Sequence, residues 1–194
     1  MEINADFWNE RYLNNQLGWD LKSPSTPLKE YIDQLNDKDI KILIPGCGNA
    51  YEAEYLIKKG FTNITLIDIS EILVKNLQEK FKNDPQVKII NQDFFELEDK
   101  FDLILEQTFF CALNPNLRTK YAEKMHQLLY PEGKLVGLLF SIDFNNPFPP
   151  FGGSEIEYRE LFQSKFLIKR LETAYNSIKP RSGTELFIQF SPRP

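Results

Sequence analysis

The sequence predicts an α/β fold in which a mostly parallel sheet is covered by helices on both faces. Three observations carry this. From Ile40 onward, apolar strand-like runs alternate with amphipathic helical ones, the pattern of strands buried on both faces and joined by crossover helices. The first of these strands ends in a glycine-containing turn that leads into a helix, "ILIPGCGNAYE". Near the C-terminus, two strand-like runs are joined by a link too short for a crossover helix, so they are expected to pair antiparallel.

Taken in order, residues 1–38 carry two short helical segments, one around "ADFWNERYL" and one starting at Thr26-Pro27. "IKILIP" reads as the first strand, "ITLIDI" as the second, "VKIIN" as the third, "FDLILEQ" as the fourth and "KLVGLLFSI" as the fifth. Between them, Leu73, Leu77 and Phe81 recur every four residues, as do Leu117, Tyr121 and Met125. Each intervening segment therefore has one apolar face for the sheet. Ser70 is the expected N-cap of the helix after strand two, Asn114 caps a helix with Pro115 at its first position, and Ser154 with Glu157 forms a capping box for a later helix. "FLIKRLET" and "TELFIQFS", joined across "IKPRSG", are the closing pair. One domain is expected over residues 1–194, with 1–38 as a flap and 39–194 as the core.

Composition narrows the function classes. A net charge of -5 argues against generic attraction to nucleic acid or to an anionic membrane, so a small-molecule partner is expected. The longest apolar run, around "KLVGLLFSI", is far shorter than the roughly 20 residues of a membrane helix, and "MEINADFWNE" has no secretory pattern. Two cysteines, Cys47 and Cys111, make no disulfide framework, and with His126 as the only histidine a transition-metal cluster is not expected. A monomer in the reducing cytoplasm is the expectation.

In an open parallel sheet, ligands sit beyond the carboxyl ends of the strands where the strand order reverses. Gly46 and Gly48 fall in the first strand-to-helix turn, where a missing side chain lets backbone approach a ligand or merely supplies dihedral freedom. Asp68 ends the second strand, 22 residues beyond Gly46, close to the spacing at which an acid meets a ribose diol. Taken alone it also fits a helix-start acid favoured by the dipole. The glycines, the spacing and the strand pattern together favour a nucleoside. Tyr51 stands where the third glycine of a dinucleotide fingerprint belongs, which favours a cofactor without phosphates, such as S-adenosylmethionine. Asp93, in the next strand-end loop, either accepts from an adenine amino group with Phe94 packed on the base or is an ordinary loop aspartate.

At this point the motifs "GWDLKSPSTPL", "LIPGCGNAYE", "LIDIS", "NQDFF", "FDLILEQTFFCALNP" and "LLYPEGKLVGL" together resemble the thiopurine methyltransferase superfamily, and more closely its plant and microbial branch of thiol and halide methyltransferases. The resemblance runs from about Phe7 to Gly153. It implies a class I methyltransferase fold, Rossmann-like and seven-stranded, with six strands parallel and one reversed, and S-adenosylmethionine as methyl donor. It also implies cofactor contacts at Trp8, Trp19, Gly46 and Asp68, with Asp93 and Phe94 flanking the adenine. The family often has tryptophan where Tyr12 stands and tyrosine where Gln107 stands. Tyr12 keeps an aromatic face, whereas Gln107 can hydrogen-bond but cannot stack. Both remain candidate contacts.

Independently of the family, Trp8 and Tyr12 are spaced so that a helix presents both on one face, with Trp19 following after a loop. They fit either a hydrophobic flap packed on the sheet or rings around a sulfonium cation. The expected activity is methyl transfer to a small soft nucleophile, a thiol, thiopurine or halide, by in-line displacement. No residue is assigned a catalytic role. His126 is expected to pack its helix, Cys47 to serve by its small size, and Cys111 to lie near the acceptor. The acceptor pocket is expected from Phe109, Phe110, the flap and "NPFPPFGGSEIEY", a stretch that reads as a lid or as a surface connection. The alternatives are a cofactor-binding regulatory module without turnover and, disfavoured by the missing third glycine, a nucleotide-dependent oxidoreductase.

Overall fold

A computed structural model describes residues 3–194. Two helices come first, α1 (Ala5–Leu13) and α2 (Thr26–Asp33). The alternating part follows: β1 (Ile42–Pro45), α3 (Tyr51–Lys58), β2 (Ile64–Asp68), α4 (Glu71–Lys80), β3 (Val87–Asn91), β4 (Phe101–Gln107), α5 (Arg118–Gln127) and β5 (Leu129–Phe140). The chain closes with α6 (Glu155–Phe162), β6 (Phe166–Thr173) and β7 (Glu185–Pro192).

The strands form one sheet in the order β3-β2-β1-β4-β5-β7-β6. Pairs along β3-β2-β1-β4-β5 are parallel, and β7 runs antiparallel to both neighbours. The sheet is therefore seven-stranded with one reversed strand, as expected. After β3 the chain returns across β1 to lay down β4, so the order reverses between β1 and β4. That reversal opens the crevice at the carboxyl ends of the strands.

Strand side chains alternate between two cores. Ile42 and Ile44 of β1, with Leu103 and Leu105 of β4, pack beneath α2, α3 and α4 through Ile32, Leu56 and Leu77. Leu43 and Ile104 point the other way, toward Tyr121, Met125 and Phe162 of α5 and α6. This two-sided burial is why β1 and β4 read as continuous apolar runs rather than as alternating ones.

Local signals hold with three revisions. Ser70 Oγ accepts from Leu73 N at 3.2 Å and caps α4, as expected. Asn114 caps a single 3₁₀ turn, Pro115–Leu117, which then leads into α5. Ser154 Oγ accepts from Glu157 N at 3.3 Å, but the box is half made, because the Glu157 carboxylate turns outward to pair with Arg118. The fifth strand begins at Leu129, earlier than the apolar run, because Leu129 already pairs with Phe101 before the register shifts to Leu103 opposite Lys134. No helix among the described residues is long and apolar enough to cross a membrane.

Candidate functional site

The crevice at the strand reversal is a cavity of about 1010 Å³, and all nine candidate residues line it: Trp8, Tyr12, Trp19, Gly46, Gly48, Asp68, Asp93, Phe94 and Gln107. They arrive from α1, the segment after it, and the ends of β1, β2, β3 and β4.

The glycine turn is wound through left-handed backbone at Gly46 (φ +53°), Gly48 (φ +51°) and Ala50 (φ +56°). At Gly46 the requirement is also steric, since a Cβ there would lie 2.2 Å from the Phe109 ring. At Gly48 a Cβ would meet only Trp19 Nε1 and Tyr12 Oη at 3.9 Å, so dihedral freedom decides that position. The turn is a cradle with bare backbone on its cavity side.

Asp68 ends β2 with one carboxylate oxygen accepting from Ser70 N at 2.9 Å. Burial pushes its carboxyl up to about 6, against the backbone N–H groups of Ser70, Ile69 and Gly48, which favour the charged form. Ser70 Oγ also donates to Asn9 Oδ1 at 2.7 Å, and Asn9 accepts from Ile72 N at 3.3 Å, so α1 is pinned to the first turn of α4 beside Asp68.

Trp19 stands T-shaped to two rings of α1, Trp8 at 5.5 Å and Tyr12 at 5.9 Å between centroids. Burial holds the Tyr12 hydroxyl protonated, well above its ordinary range. The three rings make an aromatic wall over the glycine turn. Asp93 caps the 3₁₀ turn Phe94–Glu96 by accepting from Phe95 N at 2.9 Å, and the Phe94 ring stands edge-on to Phe109 at 5.0 Å. Gln107 closes β4 with its Oε1 buried and without a hydrogen-bond partner.

On the acceptor side, Phe109 lines the cavity but Phe110 does not. Its ring is turned into the second core against Tyr121, Tyr158 and Phe162, a correction to the expectation, imposed by the 3₁₀ turn Phe110–Ala112. The proline-rich stretch contributes Pro149 and Pro150 to the cavity wall and is fastened by Phe151 N donating to Cys111 O at 2.7 Å. His126 lies outside the cavity, its Nε2 3.0 Å from Arg193 O. Cys47 and Cys111 both line it, and burial holds both thiols protonated. No group of three or more histidine, cysteine or acidic side chains fit to hold a metal occurs among the described residues.

Three charged residues escaped the sequence reading. Glu106, fully buried in β4, accepts from Phe109 N at 2.8 Å, Phe110 N at 3.0 Å and Tyr121 Oη at 2.5 Å, which fixes the turn carrying Phe109. Its signal was an acid inside an apolar strand. Arg181 reaches from the β6–β7 link to Trp19 O at 3.0 Å and Glu185 at 3.2 Å, a pairing across 162 residues that no local pattern announces. Asp20 lines the cavity immediately after Trp19.

The arrangement fits an adenosyl ligand without phosphates. It offers an acid at the end of β2, a bare glycine cradle and aromatic rings beside it.

A family model described as thiopurine S-methyltransferase (TPMT) matches residues 3–187. A protein of Arabidopsis thaliana named probable thiol methyltransferase 2 is 32% identical over 190 residues, covering 95% of this chain and 84% of that protein. Thiocyanate methyltransferase 1 of Brassica oleracea is 28% identical, covering 92% and 81%. The fold is shared with a solved 1,6-didemethyltoxoflavin-N1-methyltransferase of Burkholderia thailandensis, with a TM-score of 0.77 and 17% identity over 97% of this chain and 86% of that one.

Proposed function

The chain belongs to the thiopurine S-methyltransferase family, and from that membership we propose that it moves a methyl group from S-adenosylmethionine to a small soft nucleophile, a thiol, thiopurine or halide, in the crevice between β1 and β4. It is a methyltransferase. The observation that carries the site assignment is the convergence on one cavity of nine residues drawn from six separate places in the chain.

When bound, S-adenosylmethionine supplies a methyl group on a cationic sulfur, open to in-line attack. The Asp68 carboxylate accepts from the ribose diol, while Asp93 and Phe94 take the adenine edge and face. Gly46 and Gly48 offer backbone to the amino-acid portion. Trp8, Tyr12 and Trp19 surround the positive charge with ring faces that attract a cation and cannot be methylated at carbon as readily as a thiolate at sulfur. The cavity-lining thiols are held protonated, so neither competes with the acceptor. Gln107, which lines the same cavity with an unpartnered amide oxygen, can accept a hydrogen bond from the donor.

We assign these roles within one domain, residues 1–38 as flap and 39–194 as catalytic core. We also propose a small-molecule acceptor rather than nucleic acid or an anionic membrane as partner, which the net charge of -5 supports, and a reducing cytoplasm, which the two unpaired cysteines support.

Thermal unfolding with ligand tests the reading. At a hundredfold excess over Kd, S-adenosylmethionine or its demethylated product stabilises by about 2.7 kcal/mol, roughly 5–10 °C for a chain of this size, whereas NAD gives none. Asp68→Ala abolishes the shift; an undiminished shift removes Asp68 from the site. Turnover with iodide, bisulfide, aromatic thiols and thiopurines then identifies the acceptor, and tight donor binding with no turnover on any of them points to a binding module.

A further inference from the structure

We propose that Asp20 is the carboxylate that holds the α-ammonium of the donor's amino-acid portion. The inference rests on the donor-site reading above and extends it to a residue of the flap.

The amino-acid portion of the donor carries a full positive charge at its α-nitrogen, in addition to the sulfonium. An ammonium taken out of water needs a charge partner or several acceptors. The strand that leads into the glycine turn supplies none: β1 is Ile42–Pro45, buried and apolar throughout. The other carboxylates that line the cavity have work elsewhere. Asp68 is turned to Ser70 N at the end of β2, and Asp93 caps the turn after β3. Glu52 accepts from Ser25 N at 2.9 Å and is buried beneath the flap.

Asp20 remains, and it stands over the glycine turn. Its Oδ2 accepts from Asn49 Nδ2 at 2.9 Å and Tyr51 Oη at 3.2 Å, and Oδ1 accepts from Lys22 N at 3.0 Å. Asn49 directly follows Gly48, so these bonds fix the carboxylate against the part of the turn where backbone is bare. Among the described residues it forms no ion pair. Three neutral donors orient it and leave its charge unbalanced, with acceptor capacity for one more donor. A cationic N–H donor satisfies both needs. Because Asp20 is adjacent to Trp19, the flap then carries the recognition of both positive charges of the donor, the sulfonium on rings and the ammonium on Asp20.

Titration calorimetry on the full chain tests this with two probes, S-adenosylhomocysteine and its desamino analogue, in which hydrogen replaces the α-amine. A hydrogen bond to a charged group is worth about 1.5–3 kcal/mol, so the unaltered protein should bind the desamino analogue about 10- to 100-fold more weakly. In Asp20→Asn, which keeps the shape and the bonds from Asn49 or Tyr51, the two probes should bind within about threefold of each other. Asp20→Glu keeps the charge and should retain part of the discrimination, which guards against a fault in the first variant. Equal discrimination in Asp20→Asn and the unaltered chain overturns the proposal, as does an unaltered chain that does not distinguish the probes. Failure of the unaltered chain to bind either probe overturns the donor-site reading itself, a result of a different kind.

Discussion

Glu106 and Asp68 are two carboxylates whose charged forms the fold disfavours. Burial pushes Glu106 up to about 7, opposed by Tyr121 Oη and the N–H groups of Phe110 and Phe109, and it pushes Asp68 up to about 6. Both folded values lie above those of the unfolded chain, so folding favours the protonated forms. That stability is present below the ordinary carboxylate range and is lost as pH rises through 6 and then 7. Asp99, held low chiefly by its bond from Lys41 against the effect of burial, has the opposite sense and matters only at more acidic pH. The melting temperature of the ligand-free protein should therefore fall between about pH 4 and pH 7, and Glu106→Gln should flatten the part of the fall between about pH 6 and pH 7. A profile of unchanged slope in that variant removes Glu106 as its source. Donor affinity runs the other way under the proposed ribose assignment, in which an ionised Asp68 accepts both diol hydrogens, and it should weaken as pH falls below about 6. Asp68 was legible because a polar residue closing an apolar strand is visible in sequence, as are glycines in the turn before a helix. Glu106 was not, because its partners Phe109, Phe110 and Tyr121 act through a turn whose geometry the sequence does not spell out.

Among the elements, the inner strands β1, β2 and β4 were readable because burial on both faces writes each as an apolar run, the half-exposed edge strands β3 and β6 by their shorter apolar stretches, and the crossover helices because each shows one apolar stripe to the sheet. What was misread depended on partners outside the element. The start of β5 is set by Phe101 across the ladder, and the half-made box of α6 by Arg118 of α5. Likewise Phe110 is turned inward by the ring cluster of α5 and α6. The junction of α1 with α4 joins packing to function in one side chain. Ser70 caps α4 through Leu73 N and holds α1 through Asn9, and α1 presents Trp8 and Tyr12 to the cavity. Ser70→Ala should cost about 1–2 kcal/mol for the lost cap and should also weaken binding of S-adenosylhomocysteine, because Asn9 loses the shorter of its two bonds to α4 and its approach. Denaturant unfolding and calorimetry separate the two effects. A stability loss with unchanged affinity means that α1 is held by its other contacts and that the pin is structural only.

At the scale of the molecule, the cavity is bounded by two regions that lie at opposite ends of the chain. Residues 8–23 form one side, and the segments after β5 and before β7 contribute Phe140, Pro149 and Arg181 to the other. The sheet topology brings them together, since β7 inserts between β5 and the edge strand β6 and carries the preceding link to the crevice. Arg181 is the tie: its Nη2 donates to Trp19 O at 3.0 Å while Nη1 meets Glu185 at 3.2 Å, and Glu185 also accepts from Ser177 Oγ at 2.7 Å. A second tie runs from Thr26 Oγ1 to Asn176 O at 2.6 Å, at the far end of the same segment. If the flap owes its order to these bonds, Arg181→Gln paired with Glu185→Gln should raise amide hydrogen exchange across residues 17–25 while leaving β1 and β4 protected. The double substitution avoids stranding a buried carboxylate, so global stability is the control and the exchange pattern is the readout. Saturating S-adenosylhomocysteine should restore the lost protection if the flap closes on the donor, since the ligand then supplies the order that Arg181 gave. Exchange that is unchanged in the variant means that the flap is held by its other bonds, those of Asp20 with Asn49 and Tyr51, of Ser25 with Glu52 and of Thr26 with Asn176. Exchange that rises and is not rescued by ligand separates the order of residues 17–25 from donor binding, and would leave the aromatic wall fixed by α1 rather than by the C-terminal link.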